Sequence, residues 1–441
     1  MDASRIVIDT KHLANGMYVV ELDRPWLETP FVFQGFEISD KAEIDILRKY
    51  CKRVCIDTDR GSLKPSQIKA LRDLQLPGQT RALKSGQKEA RPGRIRHWLR
   101  DLLLRYDITW FGGLGQDGPE SYPIVSTVRR EAVRAVAAFD AACAFHASML
   151  ETVRESSRVD MNAVRRAVRP VIDSILRNPN AMAWVIFSRK LTPAEYNRAV
   201  ATAVWCVMFG RHLSFDRPRL EELAVGGLLL DIGNLGLPPG LAAVKGDLAP
   251  DELELQKKHV EIGVEILRAS QDVPENVVDM VRCHQERADG SGYPASLKAN
   301  VTPSFGRIAA IADCYDAMTS AKGYSKVSGG YDAARALNDM RGREFQPEVV
   351  EQFLHTVGMF PTGSIVELND GRAGVVLEQN PHNALRPKVL LLRDSSQKPL
   401  PRPEVKQLRD LPADATSRRA LWIVNGHPHG AFGIDPRKIF K

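Results

Sequence analysis

The stretch from Cys283 to Pro294 concentrates side chains that could do chemistry, and it reads Cys-His-Gln-Glu-Arg-Ala-Asp-Gly-Ser-Gly-Tyr-Pro. Charge, imidazole and glycine together make it too polar for a protein core. Its two glycines can adopt positive φ and expose backbone N–H groups, and Pro294 closes the segment rigidly. Such a loop is suited to holding an anion.

This stretch resembles the signature of the HD-GYP phosphodiesterases, in which His-His-Glu-Arg is followed by Asp-Gly-x-Gly-Tyr-Pro. Those bacterial enzymes hydrolyse the second messenger cyclic di-GMP. The resemblance covers about Pro193 to Met359 and extends through the regions on either side. It implies acids and imidazoles from separate helices that hold two metal ions, which share a hydroxide nucleophile and contact the phosphate. Such ligands suit iron or manganese.

The resemblance also implies which residues hold metal. The segment from Leu229 to Asn234 matches the family's His-Asp-x-Gly-Lys motif, so Asp231 is expected to be a metal ligand and the catalytic carboxylate. His259 matches the histidine of the following helix, and His284 matches the first of the paired histidines. Asp313 matches the closing aspartate.

Several positions depart from the family pattern. The upstream imidazole falls at Tyr196, that of the His-Asp pair at Leu230, the second of the paired histidines at Gln285, and the motif lysine at Asn234. A leucine cannot coordinate a metal, an amide oxygen is a poor ligand, and a tyrosine with a pKa of about 10 ligates mainly ferric ions. The sequence therefore predicts a degenerate centre. It has either one weakly bound iron or manganese ion, or no metal and a hydrogen-bonded cluster of the four remaining side chains.

Two cations could assist the loop in binding phosphate. Arg307 precedes the helix of the closing aspartate, as the family's phosphate-facing arginine does, although a surface salt bridge is an equally favoured interpretation. Lys322 stands where the family usually has arginine, and it retains the charge without the bidentate geometry. The residues predicted to bind substrate are Asp289, Gly290, Gly292, Tyr293, Arg307 and Lys322.

Composition and charge set broader limits. The chain has 441 residues, of which 44% are hydrophobic and 26% charged, as in a globular protein of two or three domains. Its net charge of +7 favours an anionic partner. It lacks a run of about 18 apolar residues, a signal-peptide pattern and a CxxC motif. These features predict a cytoplasmic protein with reduced thiols and no membrane span.

The periodicity of apolar residues predicts a mainly α fold in five parts. Residues 1–76 form a small α+β domain, which resembles a domain of unassigned function that often precedes HD-GYP domains. Residues 77–123 form a basic linker, 124–192 connecting helices, and 193–359 a helical HD-GYP-like domain. In residues 360–441 the period changes from 3.6 to 2, which predicts a C-terminal β module and tail.

Two features outside the motif have simpler interpretations. His146 lies on the packing stripe of the helix predicted from Val128 to Val153, so a core histidine is favoured over a ligand. The basic linker could contact nucleic acid or lipid, but a solvated charge run is favoured.

The sequence thus predicts a cyclic di-GMP signalling protein with weak or no hydrolysis. It would act by binding cyclic di-GMP, a related guanine dinucleotide or a protein partner. The alternative is an active metal-dependent phosphodiesterase that opens cyclic di-GMP to the linear dinucleotide or GMP. Whether the chain is an enzyme stays open on the sequence alone.

Overall fold

The fold is given by a computed structural model. The structure describes residues 5–23, 36–38, 41–58, 71, 122–190, 197–238, 240–241, 249–320, 329–380, 385–410, 421–428, 430–435 and 439. The chain divides into two compact units, Met1–Tyr106 and Asp107–Lys441. Tyr196, Lys322 and most of the predicted basic linker lie outside the described residues.

The first unit is the small α+β domain that the sequence predicts. Its strands are β1 (Arg5–Asp9), β2 (Tyr18–Leu22), β3 (Phe36–Glu37) and β4 (Arg53–Asp57), which pair antiparallel in the order β1-β4-β2-β3. Alternate residues of a strand face the same side, so Ile6 and Ile8 of β1 share a core with Leu47 of helix α1 (Lys41–Tyr50).

The second unit begins with α2 (Val128–Ser156), α3 (Met161–Arg177) and α4 (Pro179–Lys190). The side chains of Thr127 and Asp160 cap α2 and α3 by accepting backbone N–H groups of their first turns. The pair Asn178-Pro179 predicts a break between helices, and α3 does end at Arg177, since proline cannot continue its hydrogen bonding.

By length and composition, α2 is the one helix among the described residues that could cross a membrane. Core helices pass the same test, and 28% of the tested window is buried. Since α2 also packs against α3 and α4, the test is weak evidence for a membrane span.

The remaining helices surround the predicted site. They are α5 (Arg198–His212), α6 (Arg217–Leu229), α7 (Pro250–Lys257), α8 (His259–Ala269), α9 (Glu275–Cys283), α10 (Ser304–Thr319), α11 (Gly330–Asp339) and α12 (Pro347–Val357). α5 packs against α6 and α10, and α9 packs against α6, α8 and α10. The apolar periodicity of Asp251 to Leu267 predicts one amphipathic helix, but the structure divides it at Lys258, so His259 begins a helix of its own.

The C-terminal β module is an antiparallel five-stranded sheet in the order β8-β7-β6-β5-β9. Its strands are β5 (Ile365–Leu368), β6 (Ala373–Glu378), β7 (Lys388–Arg393), β8 (Pro399–Gln407) and β9 (Ile423–His427). Trp184 of α4 belongs to the apolar cluster under this sheet. Sequence analysis missed β8, because it contains Pro399, Pro401 and Pro403. Its place at the sheet edge explains how these prolines are accommodated.

A pair of half-buried imidazoles joins α5 to α12. The rings of His212 and His355 stack with centroids 6.4 Å apart, and Nε2 of His212 lies 3.0 Å from Oε1 of Gln352. Burial lowers the pKa of both imidazoles, that of His355 to about 4. Both rings are therefore neutral near pH 7.

This pair predicts that acid destabilises the fold. An unfolded histidine takes up its proton near pH 6.5, whereas His355 in the folded chain resists until about pH 4. The stabilising contribution is present above about pH 6.5 and is lost as the pH falls toward about 4. We expect His355→Gln to reduce the loss of unfolding free energy across this window by about 1 to 3 kcal/mol.

Chemical denaturation of the full chain at a series of pH values, with a chelator present, measures this effect. The exposed His12, changed to Gln, is the control and should leave the pH dependence as it is. Identical slopes for wild type and His355→Gln would contradict the prediction.

Candidate metal centre

Close packing of two glycines places Asp231 beside the helix that carries His259. Asp231 directly precedes a short 3-10 turn, Ile232–Gly236. A methyl group added at Gly233 would overlap the carbonyl oxygen of His259, and one at Gly263 would lie 2.9 Å from Cγ1 of Val281. These contacts allow the turn, α8 and α9 to approach one another closely.

Each of the two imidazoles is oriented by a backbone carbonyl. Nδ1 of His259 lies 2.7 Å from the carbonyl oxygen of Gln256, and Nδ1 of His284 lies 2.9 Å from that of Val281. A carbonyl oxygen only accepts hydrogen bonds, so both Nδ1 atoms carry hydrogen and donate. In the neutral rings both Nε2 atoms therefore present lone pairs.

These lone pairs face each other and a carboxylate. The Nε2 atoms of His259 and His284 are 3.3 Å apart, and they lie 3.7 and 3.8 Å from Oδ1 of Asp231. The side chains of His259 and His284 are 6% and 0% exposed, and that of Asp231 is 35% exposed. The site is therefore enclosed on the imidazole side and open on the carboxylate side.

Three ligand atoms that face one another in this way form a possible metal-binding group. A proton is disfavoured at His284, because burial lowers the pKa of its imidazole. Burial also opposes ionisation of Asp231, but the charge of Arg198 lowers the pKa of this carboxylate below its ordinary value. Two imidazoles and one carboxylate are a donor set that fits a divalent ion such as iron or manganese.

Asp313, the fourth expected ligand, has a different neighbour. Its carboxylate lies on α10, and its Oδ1 accepts a hydrogen bond of 2.6 Å from Nη2 of Arg198, the first residue of α5. Asp313 does not belong to the group formed by Asp231, His259 and His284. Its role as a ligand stays a prediction. Arg198 was missed, because an arginine that begins a helix has no distinctive sequence signal.

One turn further along α10, Asp316 forms a buried ion pair. Its Oδ1 lies 3.0 Å from Nζ of Lys190 and accepts a hydrogen bond of 3.0 Å from Nε1 of Trp205. The two charged side chains are 5% and 0% exposed. Since removal of one partner of such a pair typically costs about 3 to 5 kcal/mol, this contact fixes α4, α5 and α10 behind the site.

His146 of α2, expected to be a core histidine, is half-buried and makes a polar contact at the start of α5. Nδ2 of Asn197 lies 3.2 Å from its Nδ1, while Oδ1 of Asn197 accepts from the backbone N–H of Val200. An amide nitrogen donates, so Nδ1 of His146 accepts and the ring hydrogen is on Nε2. Burial lowers the pKa of His146 to about 4, and the charge of Asp231 partly opposes this effect.

The glycine-rich loop is folded back onto the end of α9 by Glu286. Its two carboxylate oxygens accept the backbone N–H groups of Ala295 and Leu297, each at 2.8 Å. Gly292 lies directly on the backbone of residues 285–287, where a side chain would overlap main-chain atoms. These contacts thus hold the loop against the C-terminal end of α9.

Tyr293 is the loop residue that reaches the imidazoles. Its ring meets that of His259 edge to face with centroids 6.3 Å apart, and Nζ of Lys257 lies 5.6 Å from the ring centroid. Burial and the charge of Asp231 raise the pKa of Tyr293 to about 12. The phenol is therefore protonated near pH 7.

Other residues predicted to bind substrate shape the loop and its surroundings. Asp289 accepts hydrogen bonds from the N–H and hydroxyl of Ser291 in an exposed turn, and Gly290 has a φ of +84°. Arg307 donates to the carbonyl of Thr302 at 2.6 Å and to Oε1 of Gln346 at 3.2 Å. Substrate contact by these residues stays a prediction.

The positions that lack imidazoles differ in their surroundings. Leu230 is 2% exposed within the apolar core, so the position of the motif histidine is filled by hydrocarbon. Gln285 is half-buried, and its carbonyl accepts the N–H of Tyr293 at 3.1 Å.

Three family models match the chain. A domain of unknown function (DUF3391) matches residues 5–164, an HD domain matches 182–349, and a KOW domain associated with HD domains matches 365–417. The cyclic di-GMP phosphodiesterase PA4108 of Pseudomonas aeruginosa is 30% identical over 397 residues, which cover 89% of this chain and 87% of the relative. The chain belongs to the HD-GYP family.

Other relatives match about a third of the chain. A cyclic di-GMP phosphodiesterase of Thermotoga maritima is 38% identical over 136 residues, which are 31% of this chain and 37% of the relative. A 3'3'-cGAMP-specific phosphodiesterase of Vibrio cholerae is 35% identical over 153 residues, which are 34% of this chain and 29% of the relative. The solved structure of Bd1817, an HD-GYP-type protein of Bdellovibrio bacteriovorus, aligns over 79% of this chain and 98% of its own with a TM-score of 0.38 and 14% identity.

The triad of Asp231, His259 and His284 predicts at most one tightly held manganese ion per chain. We expect His259→Ala to weaken manganese binding at least about 10 to 100-fold, because it removes one of the three facing ligand atoms. Calorimetric titration of the chelator-treated full chain measures the number of ions and their affinity.

Lys257→Ala is a suitable control for this measurement. It removes a cation beside Tyr293 and leaves the triad intact, so the number of bound ions should not change. Two manganese ions per wild-type chain, both lost in His259→Ala, would contradict the prediction.

Proposed function

We propose that the chain is a cyclic di-GMP-binding member of the HD-GYP family whose centre holds one divalent metal ion and hydrolyses the dinucleotide at most slowly. The observation that carries the proposal is the enclosed triad of two Nε2 atoms and one carboxylate oxygen within 3.3 to 3.8 Å of one another. Asp313, the other acid beside it, is paired with Arg198.

The proposed limit on hydrolysis follows from the number of ligands. A bound divalent ion would polarise a phosphate oxygen and lower the pKa of a coordinated water. Two ions are needed to stabilise both the attacking and the leaving oxygen, and Leu230 offers no atom to hold a second one. Loss of a residue that merely supports a ligand typically costs about 10 to 100-fold, so loss of several ligands should cost much more.

Electrostatics and similarity support a cyclic dinucleotide as the ligand. Cyclic di-GMP carries two phosphates, and the net charge of +7 favours anions. Tyr293 places an aromatic ring and a protonated phenol beside the imidazoles, where a base or a phosphate oxygen could contact it. A relative that acts on 3'3'-cGAMP supports related guanine dinucleotides as further candidates.

A protein that binds cyclic di-GMP but hydrolyses it slowly would act through its ligand-bound form. We infer that the loaded chain signals to a protein partner in the bacterial cytoplasm. The active phosphodiesterase is the second candidate. It is favoured by 30% identity over 89% of the chain to a protein named for that activity.

Binding without comparable turnover is the direct expectation. We expect cyclic di-GMP to bind the manganese-loaded chain with micromolar affinity in low salt, while hydrolysis stays at least about 100-fold slower than that of an active family member, because the second set of ligands is missing. Calorimetry measures the binding, and chromatographic separation of nucleotides measures the turnover.

Asp231→Asn is the variant for comparison, since it removes the carboxylate charge that the ion requires. It should lose the part of the affinity that depends on manganese. Absence of binding heat with cyclic di-GMP for the wild type would remove the dinucleotide from the proposed function.

Restoring the missing imidazoles tests the physical reason for slow turnover. We expect Tyr196→His, Leu230→His and Gln285→His together, with Asn234→Lys, to raise manganese loading and hydrolysis by at least about 100-fold. Each single change should do little, because a metal site requires enough correctly placed ligands at once.

The assay is hydrolysis of cyclic di-GMP with added manganese, wild type beside the quadruple variant. Thermal unfolding of each variant checks that the new polar groups are tolerated, above all at the buried position 230. Rapid turnover by the unmodified chain, abolished by Asp231→Ala, would establish the second candidate instead.

A further inference from the structure

We propose that Arg198 is a built-in cation of this centre, which neutralises Asp313, keeps a second metal ion out and contacts a phosphate oxygen of a ligand bound on the single ion. This inference rests on the proposed function in assuming an ion at the triad. It adds a charged residue that no sequence motif of the family assigns in this chain.

The position of Arg198 relative to the two acids is the first support. Its Nη2 lies 2.6 Å from Oδ1 of Asp313, whose side chain is 9% exposed, while the arginine side chain is 43% exposed. The charge of Arg198 also acts on the carboxylate of Asp231. The guanidinium therefore pairs with one of the two acids and favours ionisation of the other.

The start of α5 is the second support, because it fixes the arginine backbone. Asn197 caps the helix through Val200 and also contacts His146 of α2. Arg198 is thus the first residue of a helix whose capping residue also contacts α2. A positive charge in the first turn opposes the helix macrodipole, so helix stability does not explain an arginine at this position.

A guanidinium and a metal ion compete for the same carboxylate. An ion ligated by Asp313 would have to displace the hydrogen bond from Arg198 and would be repelled by its charge. The positive charge of Arg198 also acts on Asp231, which would ligate an ion at the triad. The arginine therefore weakens binding of this single ion as well. Removal of the positive charge should consequently strengthen metal binding.

The charge of Arg198 has the opposite effect on phosphate binding, because phosphate is an anion. Arginine is the side chain best suited to contact phosphate oxygens, and cations that surround a metal-bound phosphate stabilise it. Loss of Arg198 should therefore weaken phosphate binding to the loaded centre. A merely structural ion pair would not give opposite effects on the two ligands.

The test compares Arg198→Gln and Arg198→Lys with the full-length wild type. Manganese affinity of chelator-treated protein is measured by calorimetry. Phosphate binding to the loaded protein is measured by the change that inorganic phosphate causes in the electron paramagnetic resonance spectrum of bound manganese. Phosphate is used so that the result does not depend on the identity of the nucleotide.

Arg217→Gln is a closely matched control. Arg217 is also the first residue of a helix, its side chain is 48% exposed, and it pairs with Asp173 at 2.5 Å. It lies at the opposite end of α6 from Asp231. Both affinities should stay at the wild-type values in this variant, whose thermal stability also gives the cost of losing an exposed ion pair.

We expect Arg198→Gln to bind manganese at least about 10-fold more tightly and phosphate at least about 10-fold more weakly. Arg198→Lys keeps the charge and should stay near the wild type for manganese, with a smaller loss for phosphate. This inference alone is overturned if the wild type binds manganese and Arg198→Gln has the same two affinities as the wild type. It is also overturned if Arg198→Gln binds both manganese and phosphate more weakly.

Failure of the metal site has a different signature. If neither wild type nor Arg198→Gln binds manganese, both this inference and the proposed function are wrong. If Arg198→Gln binds manganese and the wild type does not, the inference is supported, and the proposed function must be revised to a centre that its own arginine closes to metal.

Discussion

This centre depends on one constraint: two ring nitrogens and a carboxylate oxygen face one another without a shared hydrogen. Each imidazole uses its Nδ1 hydrogen on a carbonyl only three residues earlier in the chain, so Nε2 must be an acceptor in the neutral ring. The helix ends that position the rings thereby also fix their tautomers. Local backbone geometry thereby turns both Nε2 atoms toward the carboxylate of Asp231.

The acids around this constraint differ in how their charge is balanced. On α10, Asp313 and Asp316 lie one turn apart, and each has a cation of the chain beside it, Arg198 and Lys190. Asp231 has the two imidazoles at 3.7 and 3.8 Å, longer than a hydrogen bond. The centre thus combines two acids that are paired with side-chain cations and a third, Asp231, whose nearest partners are imidazoles.

The resemblance to the family motifs named Asp231, His259 and His284 from the sequence, and the structure brings these three side chains together. The resemblance was not sufficient for Arg198, whose partner Asp313 is 115 residues away. Pairing over such a distance is decided by how α5 packs on α10. Local periodicity carries no information about that packing.

Apolar periodicity predicted the helical domain and most strands, but it did not predict two features of the fold. The division at Lys258 leaves the amphipathic pattern continuous, so sequence alone predicted one helix instead of α7 and α8. β8 was missed because proline normally indicates a loop, and only its place at the edge of the sheet makes it compatible with a strand.

That edge strand has a consequence for the behaviour of the protein in a crowded cell. Proline has no backbone N–H group, so Pro399, Pro401 and Pro403 remove three hydrogen-bond donors from β8. A further strand would find few donors to pair with along this border. The prolines act as a barrier to aggregation, and they protect the C-terminal sheet from growing into neighbouring molecules.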